Sequence, residues 1–550
     1  MTNWTYADLL EGVAAAVPNW VAQLHGERSF TWAQFDQRAD ALAAHLLASG
    51  LTEQSKVAAY LYNGPEYLET YFAAFKAGLA PVNTNYRYGP DEIRYLFSNA
   101  DAEAVVFHAS FTALIEQVRP DLPGVKVWYV VDDLDGVVGP RPDWAVPYEE
   151  AVTAEPAARP VAGPWGRSGD HLLLLYTGGT TGMPKGVMWR QDDLFNVLGA
   201  AGNATAGIAP ITSVADLAPR FAAALQMGLA AGPRVLPACP LMHGTGQFSA
   251  LITLMMGGSV VSLSGRSFST EELFDTIERD RVTSCVIVGD AFAKPMLATL
   301  DGSPGRWDLS SLVAISSSGV MWSQETKNGL LEHLPNVSLI DSYGSSEAVG
   351  LGLSVSTKGQ AERTAQFKLG PTVHVFTEDL RRVEPGSDEQ GFVAISGFVP
   401  IGYYGDEQKT AKTFRVIDGV RYSVPGDYAQ VTADGSLVLL GRGSVCINTG
   451  GEKVFPEEVE EVLKQHPAIA DAVCVGHPDD RFGEVIVAMV QPKDPSIAVD
   501  ADDVIAHVRS RLARYKAPRH VITVATIGRS PAGKVDYARL KAEARQALGA

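Results

Sequence analysis

Residues 175–187 read LYTGGTTGMPKGV, a run with four glycines, four hydroxyl-bearing side chains and one lysine, Lys185. The short apolar run HLLLLY at residues 171–176 leads into it and predicts a strand. Glycines let successive backbone N–H groups point into one concavity, hydroxyls add neutral donors, and lysine adds a compact positive charge. The pattern therefore predicts a phosphate-binding loop that follows a strand.

This loop differs from the Walker phosphate loop. The Walker pattern requires glycine, four residues and then Gly-Lys-Ser/Thr. Here Met183 and Pro184 separate Gly182 from Lys185, so the pattern fails. The remaining alternative is an ordinary glycine-rich turn, which the length and composition of the run make less favoured.

The composition of the chain limits its functional class. A chain of 550 residues is too long for one core and predicts several domains or subdomains. Its formal net charge of −18 argues against non-specific nucleic-acid binding, although a local site can still bind an anionic ligand. The four cysteines form no CxxC pair, which fits a reducing compartment and predicts neither a disulfide framework nor a thiolate metal site.

No segment indicates export or membrane insertion. The first twenty residues lack a basic region and contain acids, unlike a signal peptide. The most apolar run, residues 248–263, contains two glycines and three serines and falls short of the ~20 apolar residues of a spanning helix. We expect a cytoplasmic protein without a transmembrane segment.

The order of helix-like and strand-like segments predicts an α/β protein. These segments alternate over residues 30–110 and again over 271–340, which predicts two units with parallel, helix-covered sheets. Strand-length periodicity over residues 391–440 predicts a small β-rich, barrel-like unit. We therefore predict a large N-terminal domain over residues 1–441 and a small mobile α+β domain over 442–550. The Gly-Arg-Gly sequence at residues 441–443 is the predicted hinge between them.

Six motifs along the chain occur in a diagnostic order. They are YTGGTTGMPKG (176–186), PLMHGTG (240–246), DSYGSSE (341–347), YSVPGD (422–427), GRGSVCINTGGEKVFPEEVE (441–460) and SPAGKVD (530–536). In this order the chain resembles the acyl-CoA synthetases of the adenylate-forming superfamily, which also includes luciferase and peptide-synthetase adenylation domains. Within that superfamily, its motifs are most similar to those of actinobacterial ligases for steroid side chains and other bulky acids.

The resemblance implies a two-step reaction. A carboxylate attacks the α-phosphate of ATP, which gives an acyl-adenylate and pyrophosphate. The C-terminal domain then rotates, and the thiol of coenzyme A displaces AMP to give a thioester. The implied ligands are ATP, Mg²⁺, coenzyme A and a bulky hydrophobic carboxylic acid. Such chemistry needs charge neutralisation and positioning more than covalent help from the protein.

The resemblance also implies roles for particular residues. The catalytic residues would be Lys534, which bridges the carboxylate and the α-phosphate, together with Lys185, His243 and Glu347. Glu347 and Thr180 would bind Mg²⁺ through oxygen ligands. The implied nucleotide-binding set is Thr177, Gly178, Gly179, Thr180, Thr181, Gly182, Lys185, Ser318, Gly319, Asp341, Ser342, Tyr343, Gly344, Ser345, Ser346, Asp427, Arg442 and Lys534.

Within that set, Tyr343 would stack on adenine and Asp427 would accept hydrogen bonds from the ribose hydroxyls. The hinge would lie at Arg442 and Ser444. The residues implied for the acid and coenzyme A are His243, Gly289, Gly319, Gly450, Gly451, Glu452 and Lys453. The plain alternatives are a hydrogen-bonded core histidine for His243 and a solvated surface lysine for Lys534.

The sequence departs from the common family pattern at a few places. Relatives usually have serine where Gly178 stands, many have TGD where residues 424–427 read VPGD, and an acidic residue or lysine is common at Ser444. Ser346 also stands where threonine is usual. These departures leave open a thioesterification-only ligase that uses a supplied acyl-adenylate. Two separate alternatives are transfer to a carrier protein and a catalytically silent nucleotide- or acyl-binding protein; the intact Lys185, Glu347 and Lys534 argue against the silent protein. The expected partners are small molecules and no nucleic acid, and a homodimer is left open.

Overall fold

The computed structural model describes residues 3–133, 141–177, 183–200, 209–226, 232–320, 322–360, 365–449, 452–479, 482–512, 514–530 and 535–549. Of the predicted site residues, Gly178, Gly179, Thr180, Thr181, Gly182, Gly450, Gly451 and Lys534 lie outside the described residues.

The first part of the chain alternates helices and strands, as predicted. Its elements are α1 (Tyr6–Ala16), β1 (Val21–His25), β2 (Arg28–Thr31), α2 (Trp32–Ala48), β3 (Lys56–Tyr60), α3 (Pro65–Ala77), β4 (Ala80–Asn83), α4 (Pro90–Asn99), β5 (Ala102–His108), α5 (Thr112–Val118), β6 (Val127–Val131), β7 (Val146–Pro147), α6 (Tyr148–Thr153), β8 (Leu172–Thr177), β9 (Lys185–Arg190) and α7 (Gln191–Phe195). Local sequence sets several boundaries: a reciprocal capping box between Thr31 and Gln34 starts α2, and left-handed Gly78 ends α3.

A second alternating series follows a π-helical turn at Asn196–Ala200. Its elements are α8 (Leu217–Gln226), β10 (Arg234–Pro237), α9 (Gly244–Met255), β11 (Ser259–Ser262), α10 (Thr270–Asp280), β12 (Ser284–Ile287), α11 (Asp290–Gly302), β13 (Ala314–Ser318), α12 (Gln324–His333), β14 (Ser338–Ser345) and β15 (Ala348–Ser356).

Short strands then dominate up to the predicted hinge. They are β16 (Gln366–Leu369), β17 (Val373–Phe376), β18 (Gly391–Ser396), β19 (Gly402–Tyr403), β20 (Phe414–Ile417), β21 (Val420–Ser423), β22 (Asp427–Val431) and β23 (Leu437–Arg442), with α13 (Glu407–Thr413) among them. The last part holds β24 (Ile447–Thr449), β25 (Glu452–Val454), α14 (Pro456–Lys464), β26 (Ile469–Asp479), β27 (Gly483–Pro492), α15 (Ala501–Arg509), β28 (His520–Thr523) and α16 (Tyr537–Leu548).

Within the described residues these strands form three sheets. The first has the order β19-β9-β8-β4-β3-β5-β6-β7, and the second begins β2-β1-β11-β10-β12-β13-β14-β15. The predicted β-rich unit continues the second sheet, because β16 pairs with both β15 and β23. The third sheet contains only strands from β24 onward. The helix-connected strands β3–β6 and β10–β14 pair in parallel, as predicted.

Alternating side chains on the strands bury two faces of each large sheet. On β11, Val260 belongs to the core shared with α1, α2, α3 and α9, whereas Val261 packs with α10, α11 and α12. On β3, Val57 faces the same shared core and Ala58 packs with α4 and α5. Helices α1, α2, α3 and α9 therefore lie between the two large sheets. No helix among the described residues has the length and apolarity needed to cross a membrane.

A buried ion cluster ties the first helices together. The ammonium of Lys76 on α3 is fully buried and lies 2.5 Å from Glu11, 2.8 Å from Asp36 and 2.9 Å from Asp40. These three carboxylates come from α1 and α2. Arg167 also pairs with Glu11, so loss of the lysine would chiefly leave the buried Asp40 without its nearest cation, which is a costly arrangement.

Candidate active site

Two paired strands flank the predicted phosphate loop, whose residues 178–182 lie outside the described residues. Strands β8 and β9 are antiparallel, and Thr177 is the register partner of Lys185, so these two residues flank the loop. Lys185 opens β9, and its Nζ contacts a carboxylate oxygen of Asp406. Asp406 also caps α13 by accepting a hydrogen bond from the N–H of Lys409 at 2.8 Å. The hydrogen bond from Lys185 holds the pKa of Asp406 below its usual range, so the carboxylate is charged near neutral pH.

Strand β19 lies at the edge of the first sheet, beside β9. The N–H of Ile401 donates to the carbonyl of Met188 at 3.0 Å, and the N–H of Tyr404 donates to Gly186 at 2.8 Å. This pairing brings residues 401–406, which we call the edge segment, next to Lys185. The segment comes from a part of the chain more than 200 residues after β9, since Lys185 and Asp406 are 221 residues apart.

Glu347 lies in the turn between β14 and β15, where three strands hold it. The hydroxyl of Tyr403 donates to Glu347 Oε1 at 2.7 Å. The hydroxyl of Ser423 donates to the Glu347 carbonyl at 2.6 Å, and Trp189 Nε1 donates to the Ser346 carbonyl at 3.0 Å. The edge segment therefore contacts both of the predicted charged groups, Lys185 and Glu347.

The remaining predicted nucleotide residues of β13 and β14 lie side by side. Ser318 is the register partner of Ser342, and Gly319 follows it directly, at the carboxyl ends of two parallel strands. Gly344 and Ser345 end β14, beside the turn that carries Ser346. This is the edge at which parallel α/β sheets commonly bind ligands.

The side chain of Asp341 is engaged elsewhere. Its Oδ2 accepts a hydrogen bond from Lys327 at 2.9 Å, and both residues are buried. Burial raises the pKa of Asp341, and Lys327 opposes that effect. A nucleotide contact of this carboxylate stays a prediction.

Tyr343 and Asp427 lie in direct contact. The Tyr343 hydroxyl donates to Asp427 Oδ2 at 3.0 Å, and the Tyr343 ring lies 5.3 Å from the ring of Phe367. Asp427 on β22 is the register partner of Arg442 on β23. The residues predicted for adenine and for ribose are thus neighbours, next to the backbone of the predicted hinge.

The residues predicted for the acid gather where three strands of the second sheet end. His243 is the N-cap residue of α9, and a Cβ added at Gly244 would lie 3.4 Å from Leu175 on β8. A Cβ at Gly319 would lie 3.7 Å from Thr245 and 3.9 Å from Val288. Gly289 follows β12, and its N–H donates to Ser317 at 2.8 Å.

The start of the third sheet follows the predicted hinge. Strand β23 ends at Arg442, and a single helical turn, Gly443–Val445, which includes Ser444, leads to β24. Glu452 and Lys453 lie on β25, opposite Thr449 and Asn448. Gly441 has φ +129°, a backbone conformation that L side chains rarely adopt, so this position requires glycine.

Comparison with known proteins identifies the family. The AMP-binding enzyme family matches residues 10–404, and the AMP-binding enzyme C-terminal domain matches residues 458–534. The chain belongs to the AMP-binding enzyme family. This result confirms the family predicted from the ordered motifs.

Similar proteins match this AMP-binding enzyme over nearly its whole length. It is 40% identical to the medium-chain acyl-CoA ligase Mig of Mycobacterium avium, with 98% of this chain and 97% of the relative covered. It is 41% identical to the 3-oxocholest-4-en-26-oate–CoA ligase of Rhodococcus rhodochrous, with 96% and 94% covered. The structure of the anthranilate CoA ligase AuaEII with anthranoyl-AMP has a TM-score of 0.82 at 22% identity, with 100% and 98% covered. The adenylate-forming fold, with a large N-terminal α/β domain and a small C-terminal domain, is therefore confirmed.

The donor set of the site fits a magnesium ion held mainly by substrate. Among the residues that the structure describes, no group of three or more His, Cys, Asp or Glu side chains could hold a metal. Mg²⁺ commonly binds through one or two carboxylates together with the phosphates of a nucleotide. Glu347, whose carboxylate accepts a hydrogen bond from Tyr403, is the residue predicted to supply that one protein ligand.

Sequence reasoning missed several residues of this AMP-binding enzyme that contact the site residues. They are Tyr403, Asp406, Ser423, Trp189 and Lys327. Two local signals existed: Ser423 stands inside the quoted motif YSVPGD, and Asp406 has a helix-capping pattern before α13. Their partners are distant in sequence, so no local pattern indicates them.

Proposed function

We propose that this AMP-binding enzyme is an AMP-forming acyl-CoA ligase for a bulky hydrophobic carboxylic acid. In the first step the acid and ATP would give an acyl-adenylate and pyrophosphate. In the second step coenzyme A would displace AMP and form the acyl-CoA thioester. The observation that carries this proposal is that the edge segment contacts both Lys185 and Glu347, in a chain that matches acyl-CoA ligases over nearly its whole length.

The contacts of the site support a division of labour in the first step. Tyr343 and Asp427, already joined by a hydrogen bond, would bind the adenosine part of ATP. Lys185, together with Thr177 and the loop that they flank, would bind the phosphates. Glu347 would hold Mg²⁺, which when bound supplies charge neutralisation at the phosphates. Lys534 would bridge the attacking carboxylate and the α-phosphate, where negative charge accumulates.

The second step would use the other end of the chain. We propose the division at residues 441 and 442, because the third sheet begins just after it and Gly441 requires glycine. Rotation about Arg442 and Ser444 would bring Gly450, Gly451, Glu452 and Lys453 to the coenzyme A channel. A few residues at the end of a secondary-structure element can absorb the large change in φ and ψ that such a rotation requires.

The acid is proposed from the relatives and from the small residues at the predicted pocket. The named relatives act on medium-chain acids and on 3-oxocholest-4-en-26-oate. Gly319 lies close to Thr245 on α9, the helix that His243 caps, and we propose that this glycine and Gly289 border the carboxylate end of the pocket. We also propose that the enzyme is cytoplasmic and acts on small molecules only; its oligomeric state stays open.

The test is a side-by-side assay of pyrophosphate release and acyl-CoA formation. The acids would run from medium-chain and long-chain fatty acids through aryl acids to steroid side-chain acids, each with ATP, Mg²⁺ and coenzyme A. Both products from one class of acid would support the complete ligase. Turnover of a supplied acyl-adenylate, with silence towards every free acid, would contradict the first step.

The role of Lys534 is tested in the same assay. We expect Lys534→Ala to abolish pyrophosphate release while acyl-CoA formation from a supplied acyl-adenylate persists, because that lysine acts only during adenylation. Lys541→Ala on α16 is the matched control and should leave both steps unchanged. Equal loss of both steps in Lys534→Ala would contradict this role.

A further inference from the structure

The edge segment carries a buried tyrosine that contacts the predicted metal-binding carboxylate. Tyr403 is 5% exposed, and its hydroxyl donates to Glu347 Oε1 at 2.7 Å. Its ring packs 5.9 Å from the ring of Phe414, and its N–H donates to Thr410 Oγ1 at 2.9 Å. Ring and backbone are thus held on both sides, so the hydroxyl is fixed in place.

The neighbouring contacts fix the backbone of Glu347 but not its carboxylate. Ser423 holds the Glu347 carbonyl and Trp189 holds the carbonyl of Ser346. A glutamate side chain has three rotatable bonds, and ordering it costs conformational entropy. The Tyr403 hydroxyl donates to one carboxylate oxygen and thereby selects one side-chain orientation before ligand binds.

We propose that Tyr403 is a positioning residue that orients the Glu347 carboxylate towards the magnesium ion of the bound nucleotide. This proposal rests on the proposed function for the presence of ATP and its metal. Hydrogen bonds to metal-binding carboxylates commonly change metal affinity by 10- to 100-fold when they are removed. We expect the lower end here, about tenfold, because phosphate oxygens hold the ion as well.

The test variant is Tyr403→Phe, which removes only the hydroxyl and keeps the buried ring. Its matched control is Tyr404→Phe, the adjacent residue, whose hydroxyl donates to Asp101 Oδ2 at 2.7 Å. Each variant loses one hydrogen bond from a tyrosine hydroxyl to a carboxylate, and the two hydrogen bonds have the same length. The variants therefore differ in which carboxylate loses its donor, Glu347 or Asp101. Thermal unfolding of both variants checks that the fold is retained.

The main readout is binding and not activity. Mn²⁺ would replace Mg²⁺, and its affinity for the full-length protein with a non-hydrolysable ATP analogue would be measured by electron paramagnetic resonance. We expect about tenfold weaker Mn²⁺ binding in Tyr403→Phe and wild-type binding in Tyr404→Phe. Binding of the analogue without metal should be equal in all three proteins.

Three results would overturn the proposal: unchanged Mn²⁺ affinity in Tyr403→Phe, an equal loss in Tyr404→Phe, or weaker analogue binding without metal in Tyr403→Phe alone. The last result would mean that Tyr403 maintains the structure of the nucleotide site and does not orient the metal-binding carboxylate. Failure of the proposed function is distinct from these results. In that case the wild-type protein would form no acyl-CoA, whereas Mn²⁺ would still bind about tenfold more weakly to Tyr403→Phe than to the wild-type protein.

Discussion

The contact between Lys185 and Asp406 predicts that a single charge removal tightens ATP binding. Asp406→Asn removes the negative charge but keeps the cap of α13, because asparagine and aspartate are equally good N-cap residues. In the proposed mechanism the phosphates and the Asp406 carboxylate would compete for the same ammonium. Without that competitor, Lys185 should be available to the phosphates at a lower free-energy cost.

The exposure of the pair sets the size of the effect. The side chains of Lys185 and Asp406 are 38% and 27% exposed, so their ion pair is partly solvated. Pairs of this kind contribute about 0.2–1 kcal/mol, which corresponds to about 1.4- to 5-fold tighter binding of ATP. The pKa of Asp406 is held below its usual range, so the difference between variant and wild type should not change between pH 6 and 8.

Isothermal titration of Mg²⁺ and ATP into the full-length protein measures this difference. Asp418→Asn is the matched control, since Asp418 is exposed in the turn between β20 and β21 and asparagine tolerates its positive φ. The advantage of Asp406→Asn should shrink at high salt, because screening weakens the competing ion pair. Weaker ATP binding in Asp406→Asn would refute the competition and would mean that Asp406 aligns Lys185 for the phosphates.

Two further predictions concern stability. Lys76→Met should lower the free energy of unfolding by about 3–5 kcal/mol in urea titrations, because it removes the nearest cation from the buried Asp40 carboxylate. Met at exposed Lys412 should change it by less than about 0.5 kcal/mol. Burial lowers the pKa of His108 to about 4. Between about pH 6.5 and 4 this histidine therefore binds a proton in the unfolded chain but not in the folded protein. The free energy of unfolding should fall as pH falls through this window. In His108→Gln the urea midpoint of unfolding should change less with pH over this window. An unchanged pH dependence would contradict the assignment to His108.

The sequence predicted those features of the fold that local patterns determine. The apolar run before the loop is strand β8, and the capping pair Thr31 and Gln34 starts α2. The alternating segments form parallel sheets because a helix between two strands returns the chain to the end at which the first strand began. The antiparallel pairing of β8 with β9, which flank the predicted phosphate loop, was not predicted, because glycine and threonine content indicates a loop but not the direction of the chain after it.

The candidate site was only partly predictable, for a related reason. Lys185 and Glu347 are found by residue type within a motif. Tyr403 and Asp406 contact these two residues only because the edge strand β19 pairs with β9. β19 has only two residues, and its pairing depends on backbone hydrogen bonds that many sequences can make. The residues of a motif are close together in the sequence. The side chains that contact those residues depend on which strands become neighbours in the sheet. Loss of the β19–β9 pairing would therefore disturb both charged groups together, although neither motif would change by a residue.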